Sequence, residues 1–370
     1  MPIYMDRHDL SGATAKDVAQ AHQQDLKIQD HFGCKGLTYW FDEERGAAFC
    51  LVEAPNMDSV KNMHDQAHGL VPHQIIEVES KVVESFLGRI IDPKPENNDD
   101  SGLLILNDPA FRAIMCIEFD EVELINHHTD ILSSKNKNNT YNQIIQNTLD
   151  QFEGRKVEHV KNGFLVSFAS VGNASCCALE IQTKLQSTNT KLNIKLLPKI
   201  GLSAGVPVTE DNTFFGDTIE QAKILCEIAQ GGNILISSSL KDYLTDDNLK
   251  QLNEQSLIKV INSNEEKFLK KLINVTTTLW NNPEFNIELF NIEMGLSKSQ
   301  LYRKTVSLTG FSPSDFIKEY RLKMSLKRLV ESQGNISEVA YDTGFSSPSY
   351  FSKCFQKRYD ISPSGFLSSK

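Results

Sequence analysis

The sequence predicts a multidomain α+β protein: two ferredoxin-like α/β sandwich domains followed by an all-α double helix-turn-helix domain. Three observations support this. Residues 1–90 alternate strand and helix patterns in the order βαββαβ, a second strand-rich segment spans 110–244, and residues 263–370 contain one helical device twice. At 370 residues the chain exceeds what one core supports, so two or three domains are expected.

In the first segment P-I-Y-M-D-R-H reads as a strand, and T-A-K-D-V-A-Q-A-H-Q-Q-D-L-K-I-Q-D-H-F-G as a helix stopped at Gly33. L-T-Y-W-F-D and A-A-F-C-L-V-E-A form a hairpin across E-E-R-G. M-D-S-V-K-N-M-H-D-Q-A-H-G is a second helix, and H-Q-I-I-E-V-E the last strand. Residues 91–109 include D-P-K-P-E-N-N-D-D-S-G, rich in proline and acid without an apolar anchor, which reads as a linker. R-A-I-M-C-I-E-F, G-F-L-V-S-F, L-P-K-I-G-L-S-A-G-V-P-V and N-I-L-I-S supply strands of the segment 110–244. Residues 245–262 are polar and weakly patterned, a second linker. Ser263 with Glu266 three positions later is a capping-box pair for the helix that opens residues 263–370.

The repeated device runs from Ile287 to Lys304 and again from Ile336 to Lys353, with its glycine turns, Gly295 and Gly344, 49 positions apart. Each copy is a short amphipathic helix, a glycine turn, a serine cap and a second helix with a polar, basic outer face. That pattern describes a helix-turn-helix. In the first copy Ser297 and Gln300 form the cap, Leu301 and Val306 point inward, and Ser299, Gln300, Arg303 and Lys304 face outward. In the second, Phe351 and Phe355 are the buried stripe, leaving Ser349, Ser352 and Lys353 outward. A spacer helix from Tyr320 to Val330, with Leu322, Leu326 and Leu329 on one face, would hold the two reading helices about 34 Å apart, one turn of DNA.

Charge is unevenly distributed. The chain has net charge −10, but residues 263–370 hold 15 Lys and Arg against 11 Asp and Glu, a net of +4, leaving −14 on residues 1–262. An acidic body with a basic tail suits a sensor joined to a DNA-binding unit. No apolar run of membrane-spanning length and no signal-peptide pattern is present, so a cytoplasmic protein without a membrane partner is expected. Seven scattered cysteines without a C-x-x-C pair read as thiols in a reducing compartment.

With G-F-S-S-P-S-Y-F-S-K-C-F-Q-K-R-Y and I-S-P-S in place, residues 263–370 resemble the DNA-binding domain of the AraC/XylS family of bacterial transcription regulators. The resemblance implies a partner of double-stranded DNA, with Ser299 and Arg303 on base-reading positions of the first helix and Ser349 and Lys353 on those of the second. Three departures stand out: Asn291 where the family has a small alanine at the helix crossing, Asp360 for a glycine, and Leu367 for an arginine.

Residues 110–244, through C-I-E-F-D-E-V-E, V-E-H-V-K-N-G-F-L-V-S-F, P-K-I-G-L-S-A-G and F-F-G-D-T-I-E-Q-A-K-I-L, resemble the class III nucleotide cyclase domain. Asp120 matches the first metal aspartate of that family, but Asn162 occupies the second, Glu123 replaces a glycine, and Glu220 and Ile224 replace an asparagine and an arginine. A neutral amide is a poor ligand for a hard dication, and the phosphate-neutralising groups are gone. The resemblance therefore implies an inactive frame without catalytic residues, used for homodimerisation or for sensing a small molecule. The alternative is a nucleotide cyclase or nucleotide-binding signalling enzyme fused to a DNA-binding domain.

M-D-R-H-D, L-T-Y-W-F-D-E-E-R-G, F-C-L-V-E-A-P and H-D-Q-A-H-G-L-V-P resemble a small family of ferredoxin-like bacterial domains, some nickel-binding. His64 and His68, four apart on one helix face, can reach one metal, and imidazole suits nickel and other transition metals. His8 is the third candidate ligand, with Asp6 and Cys50 as possible additions. The expectation is a sequence-specific transcription regulator with a metal or small-molecule effector, nickel-responsive in one form.

Overall fold

The computed structural model describes residues 1–94, 103–119, 131–160, 163–192, 197–210, 212–244, 257–331 and 333–368. The first domain contains β1 (Ile3–Asp9), α1 (Ala15–Ile28), β2 (Lys35–Asp42), β3 (Ala47–Glu53), α2 (Met57–Ala67) and β4 (Gln74–Val78), followed by a short α3 (Ser80–Leu87). Its sheet order, β2-β3-β1-β4, is the ferredoxin-like arrangement, with all three neighbouring pairs antiparallel. The hairpin turns at residues 43–46, and Thr14 closes a capping box with Asp17 at the start of α1.

This sheet is buried on both faces, and the period-two alternation of its strands decides which residue goes where. Tyr4, Tyr39, Phe41, Cys50, Val52 and Ile75 pack with α1 and α2. Met5, Trp40, Phe49, Leu51 and Ile76 share a different core with α3 and the second domain.

The second domain contains β5 (Arg112–Glu118), α4 (Ile131–Gln151), β6 (Arg155–Val160), β7 (Gly163–Phe168), α5 (Val171–Leu192) and β8 (Lys199–Gly205). It continues with α6 (Gly216–Ile228), β9 (Ile234–Ile236), α7 (Ser238–Lys241) and β10 (Ile258–Val260). Within the sheet order β10-β9-β8-β5-β7-β6, the run β8-β5-β7-β6 repeats the ferredoxin-like order, and β9 and β10 extend it in parallel. Helices α4 and α5 cover one face through Ile145, Leu149, Cys177, Ile181 and Leu185. On the other face α6 lies directly against β8 at Gly201, where a Cβ would come within 2.2 Å of the Ala222 carbonyl oxygen, so only glycine permits this approach.

Among the described residues of the tail every regular element is a helix: α8 (Ser263–Leu279), α9 (Ile287–Met294), α10 (Lys298–Thr309), α11 (Pro313–Val330), α12 (Ile336–Asp342), α13 (Pro348–Tyr359) and α14 (Pro363–Ser368). No helix among the described residues is long and apolar enough to cross a membrane. All seven cysteines are free thiols.

Three expectations need correction. Residues 91–109 are not a loose tether in their described parts. The buried Tyr39 hydroxyl requires hydrogen-bond partners and takes them there, donating to Leu104 O (2.7 Å) and accepting from Leu106 N (2.9 Å), while Phe41 N donates to Asp108 O. Residues 245–262 contain β10, whose three residues are too few for a period to be visible within a polar stretch, and Ile261 is fully buried. The box that opens α8 is Asn262 with Glu265, one position earlier than expected. Glu266 is instead turned to the second domain, accepting from Ser238 N at 2.6 Å.

Candidate functional site

Two constellations stand out, one at each end of the chain. In the tail, α9 and α10 form the first helix-turn-helix and α12 and α13 the second. Gly295 and Gly344, at φ +68° and +78°, supply the left-handed turn that an L side chain resists. The second turn is one residue longer: Ser297 caps α10 and Ser347 caps α13, so the reading helices are offset by 50 positions while the glycines are offset by 49. Ser299 and Arg303 of α10 accordingly correspond to Ser349 and Lys353 of α13, and all four are exposed.

The buried stripe of α10 is Leu301, Thr305 and Thr309, with the Thr309 hydroxyl donating to Thr305 O; Val306 is only half-buried. In α13 Phe351 and Phe355 are fully buried. Three outward-facing candidates are partly committed within the protein. The Gln300 amide oxygen accepts from the Ser297 N–H (3.1 Å) and hydroxyl (3.0 Å) in the capping box, and Ser352 is half-buried. The Lys304 ammonium lies over the Phe268 ring of its own domain, 5.4 Å from the centroid. Tyr302, 56% exposed beside Arg303, was missed by pattern reading because an aromatic residue in a helix is normally counted as core.

The strut between the units is longer than Tyr320–Val330, because Ser312 caps α11 and Pro313 begins it. Phe316 and Ile317 pack in the first unit, whereas Leu322, Leu326 and Leu329 pack in the second. Asn291, at the helix crossing where its counterpart 49 positions later is the fully buried Ala340, has a buried Oδ1 without a hydrogen-bond partner. Asp360 ends α13 at φ +57°, and Leu367 packs against the second unit's core.

The other constellation lies inside the first domain. Asp6 and His8 alternate onto the helix-facing side of β1, Asp25 lies on the buried stripe of α1 with Val18 and Ala19, and His64 on that of α2 with Val60 and Met63. Asp6 Oδ1 stands 3.1 Å from His8 Nε2, and Asp6 Oδ2 2.9 Å from His64 Nε2. The other nitrogen of His64, Nδ1, is 3.1 Å from Asp25 Oδ1, and His68 Nε2 is 3.3 Å from Asp25 Oδ2. His8, His64 and His68, named from sequence, are thus brought together around two carboxylates. Asp25 was missed; its only sequence signal is a charge on the apolar face of a helix. Cys50 contributes its backbone N–H to Asp6 Oδ1 at 3.2 Å, while burial pushes its thiol well above the ordinary range.

Burial pushes the Asp6 carboxyl up, but the charges and hydrogen bonds of His64 and His8 outweigh it and hold Asp6 well below the usual carboxylate range. Burial likewise works against a charged His64, yet Asp6 and Asp25 on its two sides raise it to about 10. Asp25 is lowered against its burial by His64 and His68.

Among the described residues, two groups could hold a metal ion, Asp6/His8/His64 and Asp25/His64/His68, the donor atoms of each within 4.8 Å of one another. The donor set fits a borderline transition metal, nickel included. A tetrahedral ion with ligands at about 2.0–2.1 Å separates its donors by about 3.3 Å, close to the spacings already present.

The cyclase-like positions divide. Asp120, Glu123 and Asn162 lie outside the described residues. Glu220 of α6 pairs with Lys270 at 2.7 Å, and Ile224 is buried against the tail.

Residues 4–78 match the family model described as nickel responsive protein SCO4226-like, and residues 292–369 the one described as helix-turn-helix domain. Histidine kinase P4 of Formosa agariphila is 40% identical over 106 residues, 29% of this chain and 8% of that protein. The HTH-type transcriptional activator RhaS of Mannheimia succiniciproducens is 40% identical over 63 residues, 17% of this chain and 24% of that protein. The crystal structure of an adenylate/guanylate cyclase/hydrolase from Silicibacter pomeroyi is 24% identical, covers 36% of this chain and 82% of its own, and has a TM-score of 0.31. The chain thus spans less than a third of either curated relative. Its carboxyl-terminal segment matches a helix-turn-helix domain and is similar to HTH-type transcriptional regulators, and its amino-terminal segment is similar to nickel-responsive domains.

Proposed function

We propose that this chain is a sequence-specific DNA-binding transcription regulator whose acidic body senses a transition metal, with nickel the first candidate. The observation that carries the reading is the pair of capped helix-turn-helix units on one continuous strut, each presenting a small hydroxyl and a cation from its second helix. Ser299, Arg303, Ser349 and Lys353 would contact base edges or phosphates, with Gln300, Lys304 and Ser352 in supporting contacts. Bound in the first domain, a divalent cation would supply positive charge to two buried carboxylates, held by Asp6, His8 and His64 or by Asp25, His64 and His68. The body would serve as a homodimerisation and sensing frame in the cytoplasm.

Catalysis by the second domain is not part of this function. Ile224 of α6 is buried against the tail and Glu220 is paired with the tail's Lys270, which supports a scaffolding role. The test is binding of the full chain to duplexes enriched from a random library, measured across salt and with and without nickel, beside a product assay with ATP, GTP and Mn. Enrichment of a two-part motif, with affinity that falls steeply with salt and no cyclic nucleotide, is the expected result. Cyclic nucleotide formation without sequence enrichment would overturn it.

A further inference from the structure

The two helix-turn-helix units complete their cores differently. The second unit buries Leu322, Leu326, Leu329, Val339, Ala340, Phe345, Phe351, Phe355 and Tyr359 against one another, and among the described residues every member of that core belongs to the tail. The first unit does not close by itself. Its Leu269, Leu272, Ile273 and Leu301 share one core with Ile224, Leu225, Ile228, Leu235 and Ile261 of the second domain.

Polar contacts follow the same division. Lys270 of α8 pairs with Glu220 (2.7 Å) and Asp217 (3.3 Å) of α6, and Lys323 at the middle of the strut pairs with Glu227 at 3.1 Å. Two contacts reach the first reading helix itself. Lys259 Nζ, from β10, donates to Ser307 O at 3.1 Å, and Gln230 Nε2, just past α6, donates to Thr309 O at 3.3 Å. Those carbonyls belong to the last turn of α10, where no intrahelical N–H is available and a cation is favoured by the helix dipole. The opposite end of α10, bearing Ser299, stays exposed.

We infer that the second domain positions the first reading helix and not the second, with Gln230 and Lys259 as positioning residues that set how α10 is presented to DNA. This rests on the DNA-reading function proposed above. A grip on the last turn and the back of α10 fixes its angle without occupying the face that would meet base edges. Any change in the body therefore acts on one half of a two-part DNA site.

The experiment uses the full chain and duplexes of about 30 base pairs enriched from a random library, long enough for two half-sites about 10 base pairs apart. Arg303→Ala and Lys353→Ala first identify which half each reading helix recognises. In Gln230→Ala/Lys259→Ala, base discrimination at the half identified by Arg303 is expected to fall about fivefold or more, within the range of a lost specific contact. The other half and the thermal midpoint should stay unchanged, and Lys259→Arg, which keeps a charged donor within reach of Ser307 O, should retain discrimination at both. Equal loss at both halves, or no loss at either, overturns the inference. If the native chain enriches no motif, the DNA-reading function itself fails, and this inference falls with it.

Discussion

Asp360 sits at φ +57° where α13 ends, its N–H donating to Gln356 O, a backbone conformation in which an L side chain crowds the neighbouring carbonyl. That side chain makes no hydrogen bond or ion pair among the described residues, so Asp360→Gly is expected to stabilise the tail by about 0.5–1 kcal/mol, read as a higher denaturant midpoint with an unchanged slope. A fall in midpoint would mean that the carboxylate makes a contact worth more than the strain. Arg303 presents the opposite case, a residue whose worth lies outside the fold. It is exposed on α10, so Arg303→Ala should leave stability unaltered while weakening binding to the enriched duplex by about 1–3 kcal/mol and flattening preference at one base. A titration in which random duplex loses as much as the enriched one would reduce Arg303 to a phosphate contact.

Among the elements, the crossing of α9 with its neighbours is where sequence and packing disagree. Asn291 buries an acceptor without a partner at the position whose counterpart in the second unit is Ala340. A buried unsatisfied polar atom costs about 1–3 kcal/mol, and alanine both removes it and favours helix, so Asn291→Ala should raise stability by about 1 kcal/mol. If the variant unfolds more easily, the amide has a role that its geometry does not reveal. The same contrast explains what could be read from the chain beforehand. The hairpin across residues 43–46 and the Ser297 cap were legible because their signals are local, three or four residues wide. Helix α3 was not, since its eight residues gain their order from Val83, Phe86 and Leu87 packing into a core shared by two domains. Nor was Asp25, whose partner His64 lies 39 positions away and reaches it only once α1 and α2 dock on the same sheet. The His64 and His68 spacing could be seen in the sequence; the Asp25 carboxylate between them is a product of tertiary packing.

Across the whole molecule, three units share two cores, and α6 belongs to both. Ala222 and Cys226 pack with Met5, Phe49 and Leu51 of the first sheet, while Ile224, Leu225 and Ile228 pack with α8 of the tail. The strand that carries Asp6 and His8 toward the helices carries Met5 toward that shared core, and Arg7 reaches Val208 O in the second domain. A cation held at Asp6 and His8 would therefore bind only the folded first domain, whose strand is in direct contact with the rest of the body. Ligands that bind the native state alone stabilise it by mass action, by about 2.7 kcal/mol at a hundredfold excess over the dissociation constant. Nickel is accordingly expected to raise the thermal midpoint of the native chain, reversibly on chelation, and to raise that of His8→Ala much less. His8 is the informative substitution because losing His64 would leave both Asp6 and Asp25 buried without their shared cation, a change costing about 3–5 kcal/mol with or without metal. A midpoint indifferent to nickel in both proteins would identify the cluster as a self-neutralising network, two carboxylates balanced by the imidazoles between them, whose contribution is to hold α1 and α2 against the sheet.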